Sequence, residues 1–343
     1  VYAVLSFIGS LMGYIYFPWY ELAWTLTFLV VGGIGLNYIC ARLIQVPFTP
    51  ESSYVTALIL FCILEPVNSV AGLIPLSIAL GVAILSKYVL VYRSTHIFNP
   101  AAIGALSVGL LGYGTAFWWI GTPFMFVFTV ILGLLVVRKT RLFAMAVTAT
   151  SASLVTVSLS SLYMNMDVGA TLLSALISGP LIFFVTIMLT EPHTIAATRR
   201  QQLVYGVFIG FASSVFGFIP AGMQFATSPE LALCIANVAS FIVAHRSRII
   251  LTLVETKQVA KDTYEYVCAP DRPISFTAGQ YMEWLLPLGI TDDRGGRRYF
   301  TIASSPTDSH ISFTTKFPQT DESAFKQKLK TLKIGDMFSA TQL

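Results

Sequence analysis

Apolar runs of membrane-spanning or near-spanning length recur along the first 248 residues, near 1–17, 21–41, 53–65, 73–91, 99–112, 123–137, 142–161, 171–190, 202–220 and 230–246. Several of them, notably 53–65 and 99–112, are too short to cross a bilayer alone and read as half-helices or re-entrant pieces. The chain is 55% hydrophobic and 11% charged over 343 residues, which excludes an ordinary soluble domain. The expected architecture is an all-α membrane domain over 1–248, with about ten transmembrane or half-helical segments, followed by a smaller domain over 249–343.

Charge supports this division. Of 21 Lys and Arg residues, ten precede Leu251 and eleven fall in the last 93 residues. With the first residue placed in the cytoplasm, Arg42, Lys87, Arg93, Arg138, Lys139, Arg141, Arg199, Arg200, Arg246 and Arg248 all fall on the inner side. The outer connections, Phe17–Glu21, Glu65–Gly72, Tyr113–Thr122, Leu162–Ala170 and Pro220–Pro229, contain neither Lys nor Arg. The sequence therefore predicts a multi-pass protein of the inner (cytoplasmic) membrane with its C-terminal domain in the cytoplasm. A net charge of +4 is too small to argue for nucleic acid.

The membrane part echoes itself. Leu64-Glu65-Pro66 ends the third run and Thr190-Glu191-Pro192 the eighth; Asn99-Pro100 opens the fifth and Ser228-Pro229 the tenth. An offset of five segments inverts one half against the other, so an inverted repeat of five with Pro-broken helices is expected, a design that builds sites near the midplane. Glu-Pro and Asn-Pro are also ordinary helix boundaries. Asn99 before Pro100 is expected to cap a helix whose N-terminal amides point at a ligand. Glu65 and Glu191 could bind Na⁺ or H⁺, steady a half-helix, or sit in water at the interface.

In the C-terminal part, Arg297-Arg298-Tyr299-Phe300-Thr301-Ile302-Ala303-Ser304-Ser305-Pro306 and Phe276-Thr277-Ala278-Gly279-Gln280-Tyr281 read as strands bounded by turns. An Arg beside an aromatic and a hydroxyl residue on one strand offers a pyrophosphate clamp, a flat surface and a hydrogen bond to a ring nitrogen. A barrel strand with an accidental Arg would look the same. These residues resemble the FAD-binding barrel of the ferredoxin–NADP reductase superfamily, an all-β six-stranded antiparallel fold. The resemblance covers roughly Leu251 to Leu343. It implies Arg298 on the FAD pyrophosphate, Phe300, where Tyr is commoner, packed on the isoalloxazine, and Thr301 at the N5 edge. It extends to Gln280 and Tyr281 in the Gly-Gln-Tyr strand, and to Lys316 and Ser323 in a second phosphate-side segment. That superfamily continues into a domain that binds NAD(P)H. No GxGxxG follows the FAD motif, and the chain opens on Val1, so a fragment of a longer reductase is expected.

The membrane part, through His96-Ile97-Phe98-Asn99-Pro100-Ala101-Ala102 and Thr190-Glu191-Pro192-His193-Thr194, resembles the RnfD/NqrB-like membrane proteins of the Rnf complex and the Na⁺-pumping NADH:quinone reductase. Glu191 stands where those have Asp. The resemblance implies FMN or riboflavin in the membrane domain, and a quinone or partner redox protein as acceptor. Asp167-Val168-Gly169-Ala170-Thr171 faintly resembles a flavinylation site, which would place FMN on Thr171; small-residue packing at a helix start is the ordinary reading.

Other residues narrow the field. Cys40, Cys62, Cys234 and Cys268 show no CxxC spacing and read as buried hydrophobes, so no metal is expected. His96, His193 and His245 lack the same-helix pairs that hold stacked haems, which disfavours a haem ferric reductase. Trp118 and Trp119 read as interfacial belt residues. The expectation is a membrane NAD(P)H-dependent flavoprotein oxidoreductase, with membrane lipid around it. The rival is a transporter of a solute, ion or flavin with a regulatory flavin-binding barrel.

Overall fold

The structure is a computed structural model that describes residues 1–45, 48, 50–92, 95–191, 194, 199–215, 228–244, 248–286, 297–317 and 323–342. Pro192, His193 and His245 lie outside the described residues. The chain divides into two compact units, Val1–Tyr92 with His96–Ala244, and Arg93–Thr95 with His245–Leu343.

The first unit is helical: α1 Tyr2–Leu11, α2 Trp19–Ile44, α3 Pro50–Ile63, α4 Leu73–Val89, α5 Pro100–Leu110, α6 Pro123–Thr140, α7 Phe143–Tyr163, α8 Val168–Ile177, α9 Leu181–Phe183, α10 Arg199–Ala212 and α11 Pro229–Ala244. A two-stranded ribbon, β1 Val91–Tyr92 and β2 Thr95–His96, follows α4. The helix starts follow from side-chain caps with Pro in the first turn. Asn99 Oδ1 accepts from Ala102 N at 3.0 Å ahead of Pro100, and Thr122 Oγ1 accepts from Met125 N at 3.3 Å ahead of Pro123. Asp167 caps α8 through Ala170 N at 2.7 Å. Arg42, Lys87 and Arg138 with Lys139 occupy the last turns of α2, α4 and α6, where the helix dipole favours positive charge.

Spanning helices are fewer than the ten apolar runs suggest. Among the described residues, α2, α6 and α7 are long and apolar enough to cross a membrane, and a fourth crossing results if α8 and Leu181–Met188 form one bent span. The run 171–190 is not one helix. It bends by 52° at Ser178-Gly179-Pro180, because Pro cannot continue the hydrogen-bond ladder, and resumes as α9 and a π-helical turn at Phe184–Met188. Helices α1, α3, α4, α5 and α11 are apolar but shorter. The apolar residues of α1–α11 share one continuous core. Helices α7 and α10 approach with backbones nearly touching: a Cβ on Gly210 would strike the carbonyl of Ala149, so only Gly fits there.

The second unit is a six-stranded antiparallel sheet. Its strands are β3 Arg248–Ala260, β4 Thr263–Pro270, β5 Tyr281–Leu285, β6 Arg297–Thr301, β7 Ile311–Lys316 and β8 Met337–Gln342, with α12 Ala324–Lys330 between β7 and β8. The strand order is β6-β5-β8-β3-β4-β7. The two edges meet where Ala303 N donates to Ser312 O at 2.8 Å, which rolls the sheet toward a barrel. Bulges between Leu253 and Glu255 and between Gln258 and Ala260 bend the long strand β3. The interior is aromatic: Trp284 lies 3.9 Å from Phe313 and 4.7 Å from Phe338 between ring centroids, and Tyr266 stacks on Phe313. Gly279, at φ +88, supplies the left-handed residue of the turn in which Gln280 N donates to Thr277 O.

Candidate functional site

Strand pairing fixes which way each residue of β6 points. Arg298 is opposite Trp284 and Phe300 opposite Met282, both buried, whereas Tyr299 is opposite Glu283 and Thr301 opposite Tyr281. Successive side chains alternate between faces. Arg298 and Phe300 therefore take the inner face, while Tyr299 and Thr301 take the exposed one.

The inner pair is engaged in packing. Phe300 lies 4.6 Å from Phe313, 5.8 Å from Phe325 and 5.9 Å from Trp284 between ring centroids. The Phe300 ring, expected against the isoalloxazine, thus packs with the barrel's aromatic cluster and is only partly buried. The Arg298 guanidinium sits over the Phe325 ring, 5.5 Å from its centroid, a cation–π arrangement. Thr301 faces away from both, on the surface that carries Tyr281 and Tyr299. These two tyrosines are 49% and 62% exposed and meet edge to face at 6.0 Å. Phe300 and Thr301, both expected at the flavin ring, are divided between two faces by the pleat.

The phosphate-side residues come together differently. Ser323 caps α12 by accepting from Lys326 N at 3.4 Å, and Lys326 Nζ donates to the carbonyl of Lys316. Phe325, two residues after Ser323, carries Arg298. Arg298 thus meets α12 at Phe325, while Lys326 of the same helix reaches the main-chain carbonyl of Lys316 and lies over the Phe317 ring. Phe325 was not legible as a site residue; an aromatic two positions beyond a capping Ser was the available signal. The Gln280 Oε1 accepts from Thr277 N at 2.9 Å and closes its own turn. Burial pushes the Cys268 thiol up to about 12, which leaves it an inert core residue.

In the helical unit, Asn99 is buried and fully used. Beyond capping α5, its Nδ2 donates to Met188 O at 3.3 Å, and its main-chain N donates to Asn237 Oδ1 at 2.9 Å. Asn237 Nδ2 reaches Tyr205 Oη at 2.7 Å and Thr194 O at 3.5 Å. This node joins α5, α10, α11 and the end of the π-helical turn. Asn237 was missed in the sequence, although an Asn inside an apolar run is itself a signal. Glu191 lies just beyond Met188. Its Oε2 is buried without a hydrogen-bond partner among the described residues, and Lys87 is the cation within electrostatic reach. Glu65 is exposed. The Thr171 hydroxyl donates to Asp167 O at 2.7 Å, the geometry of a helix's first turn.

A second junction forms where α3 ends. Phe117 N and Trp118 N both donate to Ile63 O at 2.9 Å, and Trp119 Nε1 donates to Phe61 O at 2.6 Å. Trp118 Nε1 donates to Glu230 Oε1 at 2.6 Å, in the first turn of α11. Trp118 and Trp119 are thus buried, not interfacial, because the carbonyls at the end of a short helix need donors. The two junctions are crossed. Trp118 links the end of α3 to the start of α11, and Asn99 links the end of the π-helical turn to the start of α5.

All four cysteines are buried and free, and among the described residues no group of three or more His, Cys, Asp or Glu side chains is placed to hold a metal.

No family model and no curated protein matches this chain. Among solved structures it is similar to the Amycolatopsis cytochrome P450 reductase GcoB, at 25% identity over 28% of this chain and 28% of that one, with a TM-score of 0.23. It is similar to the cytochrome b5 reductase domain of Ulva prolifera nitrate reductase, at 18% identity over 27% and 40%, with a TM-score of 0.24. A ferredoxin–NADP⁺ reductase from Plasmodium falciparum matches at 17% identity over 28% and 39%, also with a TM-score of 0.24. The chain spans less than half the length of each. At these TM-scores the likenesses assign neither a fold nor an activity.

Proposed function

We propose that this chain is a membrane flavoprotein oxidoreductase whose six-stranded unit holds FAD and whose helical unit carries electrons onward. The observation that carries the reading is the guanidinium of Arg298 held over Phe325, in the first turn of the helix that Ser323 caps. A guanidinium fork suits a pyrophosphate, and the charges of Lys316 and Lys326 would add to it. In this reading Phe300, on the same face as Arg298, meets the isoalloxazine, and Thr301, at the end of β6, offers its hydroxyl to the N5 edge. FAD, when bound, supplies the exchange between hydride transfer and single-electron transfer. The chain's own residues orient the cofactor and screen its charge.

The electron source in this reading is NAD(P)H, held by a further domain, and the acceptor is a membrane flavin (FMN or riboflavin), a quinone or a partner redox protein. The basic last turns of α2, α4 and α6 support the positive-inside orientation, with the six-stranded unit in the cytoplasm. The test is the spectrum and mass of cofactors extracted from the purified chain. FAD, alone or with FMN, supports the reading; haem or no flavin removes it.

A second reading, a transporter with a flavin-binding regulatory domain, is favoured by the crossed junctions. Short helices ending in the interior at capped, polar ends are how inverted-repeat transporters build midplane sites. The inverted repeat of five belongs to this proposal. Solute-dependent uptake into vesicles without any change in flavin redox state would select it.

A further inference from the structure

Helices α10 and α11 leave a groove of about 400 Å³ between them, lined by Arg200, Gln201, Val204, Tyr205, Phe208, Ala236, Ala239 and Ser240. Its origin is a mismatch of side-chain size. α10 contributes Val204 and Phe208, while α11 opposes them with Ala236, Ala239 and Ser240, which are too small to fill the space. The size lies within the range of ordinary ligand sites.

The wall formed by α10 is graded. Arg200, Val204 and Phe208 follow one another at the four-residue spacing that puts them on one helix face, over about 12 Å of rise. A cation stands at one end and apolar surface continues from it. The hydroxyl of Tyr205 is turned to Asn237, so this residue gives the groove an aromatic wall. Arg200 is exposed and falls on the side that the charge pattern assigns to the cytoplasm, where the leaflet is anionic.

We propose that this groove is a binding site for one anionic phospholipid, with the phosphate on Arg200 and an acyl chain along Val204, Phe208, Ala236 and Ala239. The inference rests on the membrane reading above. Charge complementarity selects the occupant. A quinone head can accept from the guanidinium but brings no charge to neutralise it, and a polar solute has no use for the apolar length. Because Tyr205 both lines the groove and holds Asn237, a seated chain would press on the side chain that ties α10 to the buried node.

The test uses the full chain, purified in detergent from membranes and exposed to equal phosphatidylglycerol and phosphatidylcholine, with retained lipid counted by native mass spectrometry. One phosphatidylglycerol should stay with the wild type in at least tenfold preference to phosphatidylcholine. Arg200→Gln, at an exposed position that does not burden folding, should remove that preference, and Arg200→Lys should restore part of it. Ala239→Leu should lower retention by filling the groove. Equal retention of both lipids, unchanged retention in Arg200→Gln, or a retained quinone in place of phospholipid overturns the proposal. Release of the chain from membranes by alkaline carbonate overturns the membrane reading itself, and the lipid site with it. An inserted, flavin-containing chain without lipid preference removes the lipid site alone.

Discussion

The main-chain N–H of Asn99 donates to the side chain of Asn237, 138 positions away, at 2.9 Å, and both residues are almost wholly buried. This bond fixes the start of one short helix against the middle of another, and Tyr205 extends it to a third. In an apolar surrounding such a node works as a unit, since each member left alone is a desolvated polar group.

Asn237→Ala removes the acceptor for Asn99 and the donor to Tyr205 together. The expected cost is about 1–3 kcal/mol if the groups find no substitute, and nearer ~0.6 kcal/mol if they re-pair within the membrane. Tyr205→Phe removes one arm and should cost less. The double variant should cost little more than Asn237→Ala, because both changes strike one network. Thermal unfolding of the detergent-purified chain measures all three. Strict additivity would show that the contacts are independent.

The Trp118–Glu230 contact makes a second expectation. Glu230→Gln keeps an acceptor for the indole N–H and should lie within about 1 kcal/mol of wild type, whereas Glu230→Ala strands a buried donor at about 1–3 kcal/mol. The same unfolding measurement decides. Equal losses in both variants would mean that the carboxylate's charge matters more than its hydrogen bond.

The two faces of β6 make a third. Phe300→Ala opens the aromatic cluster of the barrel and should cost about 3 kcal/mol, the lower end for a Phe truncation because the ring is only partly buried. Thr301→Val, on the exposed face, should leave stability within about 0.5 kcal/mol and shift the flavin reduction potential. Unfolding of the six-stranded unit and a redox titration of the bound flavin separate the two effects. A potential that follows Phe300 and ignores Thr301 would leave the flavin contact to the inner residue alone.

Different physics governs what the sequence disclosed. Apolar runs, charge asymmetry and the cap at Asn99 are local signals, so helix positions and starts were readable. The bend at Ser178-Gly179-Pro180 was readable in principle but hidden by the length of the apolar run around it. Antiparallel strands beyond Leu251 were legible from turns and β-rich stretches. The side on which each residue of β6 falls was not, because register is set by the partner strand: a one-residue slip would exchange Phe300 with Thr301. Asn237, Phe325 and the Trp118–Glu230 pair depend on contacts across more than twenty positions, which no local pattern encodes. Trp118 and Trp119 were misplaced for the same reason, since an aromatic pair at a helix boundary looks the same whether it faces headgroups or caps a buried helix end.

Arg298 carries the last prediction. Its guanidinium is held over Phe325, in the first turn of the helix that Ser323 caps. If a pyrophosphate binds there, removing the fork removes a charge-assisted contact worth about 1.5–3 kcal/mol, or roughly ten- to a hundredfold in affinity. Arg298→Ala should therefore give an inserted chain that loses FAD on dilution. Arg298→Lys should recover part of the affinity, because an ammonium cannot bind two oxygens in the plane of a fork. Phe325→Leu supplies the control for positioning: it keeps the charge but removes the ring beneath it, and should weaken FAD by less than Arg298→Ala does. Equilibrium dialysis with fluorescence of the released flavin reads each case. Wild-type FAD affinity in Arg298→Ala would mean that this arginine serves the barrel's packing and that the cofactor, if one binds, is held elsewhere.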